Sequence, residues 1–186
     1  MPDTHHVGAK PLPLPDAVTA SAIYGGANNC YRYRLEWHRP ELGTPSRTIL
    51  WLMMNPSAAS ETGGDRTVLK CWRYSRAWGF NRMLVANSVA YRATDQARLA
   101  EIADPAGPDN IAHLLAMASE AEQIIAAYGK PKLPAARSYG PTAARALATA
   151  GHRLHVLALA LDGTPMHPLY QPGDVVPQPW QPLLNK

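Results

Sequence analysis

A chain of 186 residues, 46% of them hydrophobic, has the length of one ordinary domain and the apolar content for a full core, which excludes global disorder. Its two cysteines, Cys30 and Cys71, are too few for a disulfide-stapled scaffold or a four-cysteine metal site. A net charge of +4 permits a phosphate-bearing partner without demanding one. No apolar run approaches the ~20 residues of a bilayer crossing, and the first ten residues carry no signal-peptide core, so a cytoplasmic address with no membrane contact is expected.

The eighteen prolines crowd toward the two ends. Proline has no backbone donor and blocks helical continuation, so residues 1–20 and 171–186 are predicted as proline-rich wraps or loose tails around one folded domain, residues 21–170. Stretches around Ala22–Tyr24 and Cys30–Trp37, joined by Gly25–Asn29, read as a hairpin at a sheet edge. Four apolar runs then follow: Thr48–Met54, Met83–Ala90, Gln123–Tyr128 and Leu154–Leu161. Continuous hydrophobicity marks strands covered on both faces. Between them, Asp65 is a good N-cap for a helix with Val68, Cys71, Trp72, Ser75 and Trp78 on one side and Gly79 as its stop. Residues 108–120 repeat the pattern with Ile111, Leu114, Leu115 and Ala118, and Pro141–Ala150 gives a third helix closed by Gly151. Alternating strands and helices predict an α/β fold: three layers, α/β/α, with a central four-stranded parallel sheet and the N-terminal edge hairpin.

Ligands of such sheets sit beyond the carboxyl ends of the strands. There the first run enters Asn55-Pro56-Ser57, the second carries Asn87 in an apolar context, the third ends at Tyr128-Gly129, and the fourth leads to His167-Pro168-Leu169-Tyr170. Asn55, Asn87 and His167 are thus expected to share one cleft. Each has a structural reading as well: Asn55 as a turn residue, Asn87 as a partner of loop backbone, His167 as a loop histidine, and Asp65 as a helix cap alone. Arg66, Lys70 and Arg73 form a basic helical face that suits either a phosphate backbone or plain solvation. Tyr74, Phe80 and Tyr91 are candidate stacking partners for a base. The seven histidines lack recognisable ligand spacing, so no metal is expected. A cysteine nucleophile is disfavoured, because Cys71 falls on the apolar helix face and Cys30 on an edge strand.

The order of these words resembles the uracil-DNA glycosylase superfamily, through Met54-Asn55-Pro56-Ser57, Val85-Ala86-Asn87-Ser88, Ala127-Tyr128-Gly129 and Met166-His167-Pro168-Leu169-Tyr170. A closer resemblance is to a bacterial family known only as domain of unknown function 1643. Its hallmarks resemble Met54 to Ser57, Asp65-Arg66-Thr67, Trp78-Gly79-Phe80, Asn87 to Thr94, Gly107-Pro108-Asp109-Asn110 and His167 to Tyr170, over roughly residues 30–170. The first resemblance implies an N-glycosidic hydrolase acting on a base in DNA or on a modified nucleotide, with no cofactor. In it His167 would donate to the developing oxyanion, Asn55 would position water and Asn87 would read the base. Ser57, Asp65, Thr67, Tyr91, Arg92, Asn110 and Tyr170 are further candidate substrate contacts. The words Asp65-Arg66-Thr67 and Tyr91-Arg92-Ala93-Thr94 have no counterpart in that superfamily and point to a different ligand, such as a nucleotide or modified nucleoside, with Arg92 suited to its phosphate. Arg66, Lys70 and Arg73 would meet nucleic acid. The alternative is a non-catalytic nucleotide- or nucleic-acid-binding module on the same fold.

Overall fold

Every residue of Thr48–Met53 is buried, which requires cover on both faces, and the run forms the strand β3 at the middle of the sheet. The computed structural model describes residues 11–183. In them the order is β1 (Thr19–Gly25), β2 (Tyr31–His38), β3, α1 (Arg66–Ala77), β4 (Arg82–Asn87), α2 (Asn110–Glu120), β5 (Gln123–Ala126), α3 (Tyr139–Thr149), β6 (Leu154–Val156) and β7 (Gln178–Trp180). All seven strands join one mixed sheet in the order β1-β2-β4-β3-β5-β6-β7. The pairings β4/β3, β3/β5 and β5/β6 are parallel; β1/β2, β2/β4 and β6/β7 are antiparallel.

Alternation along the strands divides the core in two. Ile49, Trp51, Met53, Met83 and Val85 pack on α1, through Val68, Cys71, Trp72 and Tyr74. Leu50, Leu52, Leu84, Ala86 and Ala126 pack on α2 and α3, through Leu114, Met117, Ala143 and Leu147. The indole N–H of Trp51 donates to Ser75 (3.0 Å) and Ser75 donates to the Cys71 carbonyl (2.8 Å), so a polar link fixes α1 on the sheet at a buried point. Asp65 caps α1 by accepting from the Val68 N–H at 2.9 Å. Gly79, at φ +82°, ends it.

Several expectations are corrected. The sheet is mixed and has seven strands, in place of the expected central four-stranded parallel sheet with an edge hairpin. The run Leu154–Leu161 is a strand only to Val156, because the Asp162-Gly163 turn folds residues 158–166 back on themselves through Ala160–Thr164 and Met166–Ala158 hydrogen bonds. That leaves Leu161 fully exposed at the bend. On α2 the apolar stripe is Leu114, Met117 and Ala118, with Asn110 at its head, and Ile111 faces solvent. Of the predicted tails, residues 1–10 and 184–186 lie outside the described residues. Leu12 exchanges two backbone hydrogen bonds with Gly64, and Gln178–Trp180 adds an antiparallel edge strand. No helix among the described residues is long and apolar enough to cross a membrane.

On the α2 side, Arg34 and Arg82 each bind both Glu36 and Glu120, at 2.6 to 2.8 Å. The Arg34 hydrogen bond is the largest influence on Glu120 and brings its pKa down from 4.5 to about 2. A carboxylate depressed in the folded state stabilises above its unfolded pKa and loses that contribution as it protonates. The melting temperature is therefore expected to hold above pH 4.5 and to fall as pH drops from 4.5 to about 2. Calorimetric melts of Glu120→Gln across that range should show a shallower decline and a small loss at pH 7, under about 1 kcal/mol per exposed pair.

Candidate functional site

A cleft of about 610 Å³ opens where β3, β4 and β5 end, between α1 and the loop that carries His167. Asn55, Ser57, Asp65, Thr67, Asn87, His167 and Tyr170 all line it. The three side chains singled out at the strand ends thus share one wall system.

Asn55 is fixed by its amide. Nδ2 donates to the carbonyls of Ala93 (2.7 Å) and Pro56 (3.0 Å), which ties the loop after β3 to the loop after β4. No described donor reaches its Oδ1, which is left as a hydrogen-bond acceptor for a ligand or a water. An amide oxygen can orient water but cannot take its proton.

Asn87 closes β4 and is 1% exposed, yet its Nδ2 has no hydrogen-bond partner among the described residues. A buried unpaired amide costs about 1–3 kcal/mol. Its backbone is held from below: Asn110 Nδ2 donates to the carbonyls of Asn87 (2.9 Å) and Ser88 (3.4 Å). Asn110 therefore supports the end of β4 from the head of α2 and does not line the cleft.

His167 is placed by a close approach. Gly129 lies at φ +66°, and a Cβ there would stand 3.1 Å from the Cβ of His167. The Leu169 N–H donates to His167 Nδ1 at 3.3 Å, so the neutral ring carries its proton on Nε2. Burial lowers the imidazole pKa; the Asp65 carboxylate opposes that shift and Lys70 adds to it. At neutral pH the ring is an uncharged N–H donor. Tyr170 leans on it, with centroids 5.8 Å apart, and is 78% exposed at the cleft mouth.

Other expected contacts are placed elsewhere. Lys70 donates to the carbonyls of Leu169 (3.1 Å) and Gln171 (2.6 Å), and Tyr74 donates to those of Gln171 and Pro172. Both anchor the loop that follows His167, so the middle of the Arg66/Lys70/Arg73 face is occupied internally. Arg66 and Arg73 are exposed outside the cleft lining. Tyr91 is buried edge-on against Tyr31, and Arg92 donates to the Asn29 carbonyl with its guanidinium over the Tyr24 ring. Phe80 lies buried beneath Arg47. None of the three named stacking candidates borders the cleft; the aromatic rings that do are Tyr128 and Tyr170. Burial pushes the Tyr128 hydroxyl up to about 12, and Gly140 gives its ring room, since a Cβ there would lie 2.4 Å away.

Three basic residues absent from the sequence reading border the cleft: Arg32, Lys130 and Lys132. The lysines follow Tyr128-Gly129 directly, so the strand-end rule extended by three residues finds them. Lys130 pairs with Asp162 at the turn of the 158–166 bend. Arg32 carries no such signal. Among the described residues, no group of three His, Cys, Asp or Glu side chains is placed to hold a metal ion.

Residues 32–169 match a family model described as a protein of unknown function (DUF1643). No curated protein and no solved structure matches the chain.

Two substitutions test the placement. Gly129→Ala should destabilise by about 1–3 kcal/mol in urea melts, through strain at positive φ, and should shift the His167 ring resonances. Lys70→Met should cost about 1.5–3 kcal/mol and leave the salt dependence of any nucleic-acid binding equal to wild type.

Proposed function

Because the chain belongs to the DUF1643 family, whose description assigns no activity, we propose a function from the cleft: an N-glycosidic hydrolase that releases a base from DNA or from a modified nucleotide. The observation that carries the reading is the buried Asn87 amide, whose Nδ2 is unpaired among the described residues and which lines the same cavity as a neutral imidazole donor. The reading is also supported by the resemblance of the strand-end words to the uracil-DNA glycosylase superfamily. The consecutive parallel pairings of β4, β3, β5 and β6, with helices on both faces, are compatible with that kind of fold.

Breaking an N-glycosidic bond leaves negative charge on the base and positive charge on the sugar. The bonding pair departs with the base. His167 Nε2–H donates a hydrogen bond to the base oxygen where that charge gathers, a task that a neutral ring performs without giving up its proton. Asn55 Oδ1 accepts from a water held against the sugar carbon; that water adds to the carbon as the bond opens and sheds its proton to solvent, while the departed base anion takes up a proton from solvent. Asn87 supplies Nδ2–H to a carbonyl on the base edge. With a carboxamide at 55 in place of a carboxylate, water activation is weak and turnover is slow. That same carboxamide favours the second reading, a binding module that keeps the pocket without the chemistry.

Purified protein is to be incubated with oligonucleotides containing uracil, hypoxanthine or mismatches, and with the matching nucleotides, and free base measured by chromatography. Slow release is expected. His167→Ala should lower it by about 10²–10³-fold, the usual loss for one oxyanion donor. Absence of release from every substrate, or equal release by His167→Ala, would overturn the hydrolase reading.

A further inference from the structure

Strict alternation along β2 would turn Arg32 and Arg34 to one side of the sheet. The pairing with β1 breaks that phase: Arg34 faces Ile23 and Arg32 faces Tyr24, so Tyr33 is an extra residue on one strand. Tyr33 and Arg34 both meet α2, the ring stacked 4.8 Å from His113 and the guanidinium on Glu120. Arg32 turns the other way, toward α1 and into the cleft. A bulge beside a functional site re-aims a side chain in this manner.

The re-aimed guanidinium is 2% exposed. Nη1 donates to the Ala59 carbonyl; Nε has no partner, Nη2 makes no hydrogen bond to a described residue, and no described carboxylate forms an ion pair with it. The Nε–Nη2 edge, whose two parallel N–H groups match a pair of oxygens, is therefore unpaired among the described residues. Burial lowers the pKa to about 10 while Asp65 works against that shift, so the group stays charged at neutral pH. A buried cation with an open fork is costly to the fold unless something else fills it.

Ser57 and Thr67 line the same cleft, the Ala59 carbonyl that Arg32 binds lies two residues beyond Ser57, and Asp65, the cap of the twelve-residue α1, leads the charges that act on Arg32. Asp65 caps the Val68 N–H, and the first two helical amides, Arg66 and Thr67, precede any intrahelical partner. We infer that Arg32 is the phosphate anchor of this cleft: its open edge, with the hydroxyls of Ser57 and Thr67 and the first amides of α1, binds a phosphate group of the ligand whose base Asn87 reads. The assignment rests on the nucleotide reading for the base and stands on its own for the anion. The phosphate belongs either to a free nucleotide or to a polynucleotide strand. Because Asp65 offsets much of the Arg32 charge, affinity comes from the geometry of the fork and the amides, and a lysine cannot replace it.

Calorimetric titration of the full chain at fixed salt tests this. The probes are deoxyuridine, deoxyinosine, their 5′-monophosphates, inorganic phosphate and a five-nucleotide single strand containing either base. The phosphorylated probes should bind wild type at least tenfold more tightly than the matching nucleosides. Arg32→Met and Arg32→Lys should each bring that ratio to one, and Arg32→Met should melt no lower than wild type because a buried charge is gone. Asn87→Ala should weaken nucleoside and monophosphate alike and keep the ratio. Tight monophosphate binding identifies a free nucleotide; tight binding of the strand alone identifies a polynucleotide. A phosphate-dependent ratio without base release upholds the anchor and overturns the hydrolase. A wild-type ratio of one, a ratio that survives both Arg32 variants, or no binding of any probe overturns the anchor.

Discussion

Two buried groups of the cleft keep a donor with no acceptor among the described residues, Nδ2 of the Asn87 amide and Nε of the Arg32 guanidinium, and the cleft is organised around that deficit. Desolvating a polar group without a partner works against folding by about 1–3 kcal/mol for an amide and by more for a charge. A fold that retains such groups must recover the loss elsewhere. Here the recovery lies in β3, buried along its whole length, and in the two apolar layers that it separates.

Around the deficit, most of the polar side chains named by their motifs act on the backbone. Asn55 uses its amide to join the loops after β3 and β4, Asn110 props the end of β4, and Lys70 with Tyr74 holds the loop after His167. These contacts fix where the free atoms point: Asn55 Oδ1, Asn87 Nδ2 and His167 Nε2. A short word such as Asp65-Arg66-Thr67 or Gly107 to Asn110 thus mixes residues that face the cleft with residues that hold it open. Recognising the word does not separate the two roles.

The edges of the sheet are built from a different kind of information. β1 and β2 pair through a turn close in sequence, whereas β7 reaches β6 from more than twenty residues away. The ring of Arg34, Arg82, Glu36 and Glu120 links β2, β4 and α2 and covers the side of the sheet away from the cleft. It is peripheral to the candidate chemistry.

Local patterning was sufficient for the buried strands β3, β4 and β5, the three helices, the edge hairpin and the meeting of Asn55, Asn87 and His167. Each follows from periodicity, capping or the rule that parallel strands present their carboxyl ends together. Tertiary structure alone decided the rest. The bulge at Tyr33 depends on pairing with β1, and it reverses which side Arg32 occupies, which no reading of β2 in isolation contains. The retreat of the chain at Asp162-Gly163 and the addition of β7 depend on what the sheet edge accepts as a neighbour. Lys70 looked like a free cation because its helical face is polar, and the carbonyls that bind it lie about a hundred residues further on. Short-range pattern fixes which face of an element is apolar; long-range pairing fixes what each polar atom meets.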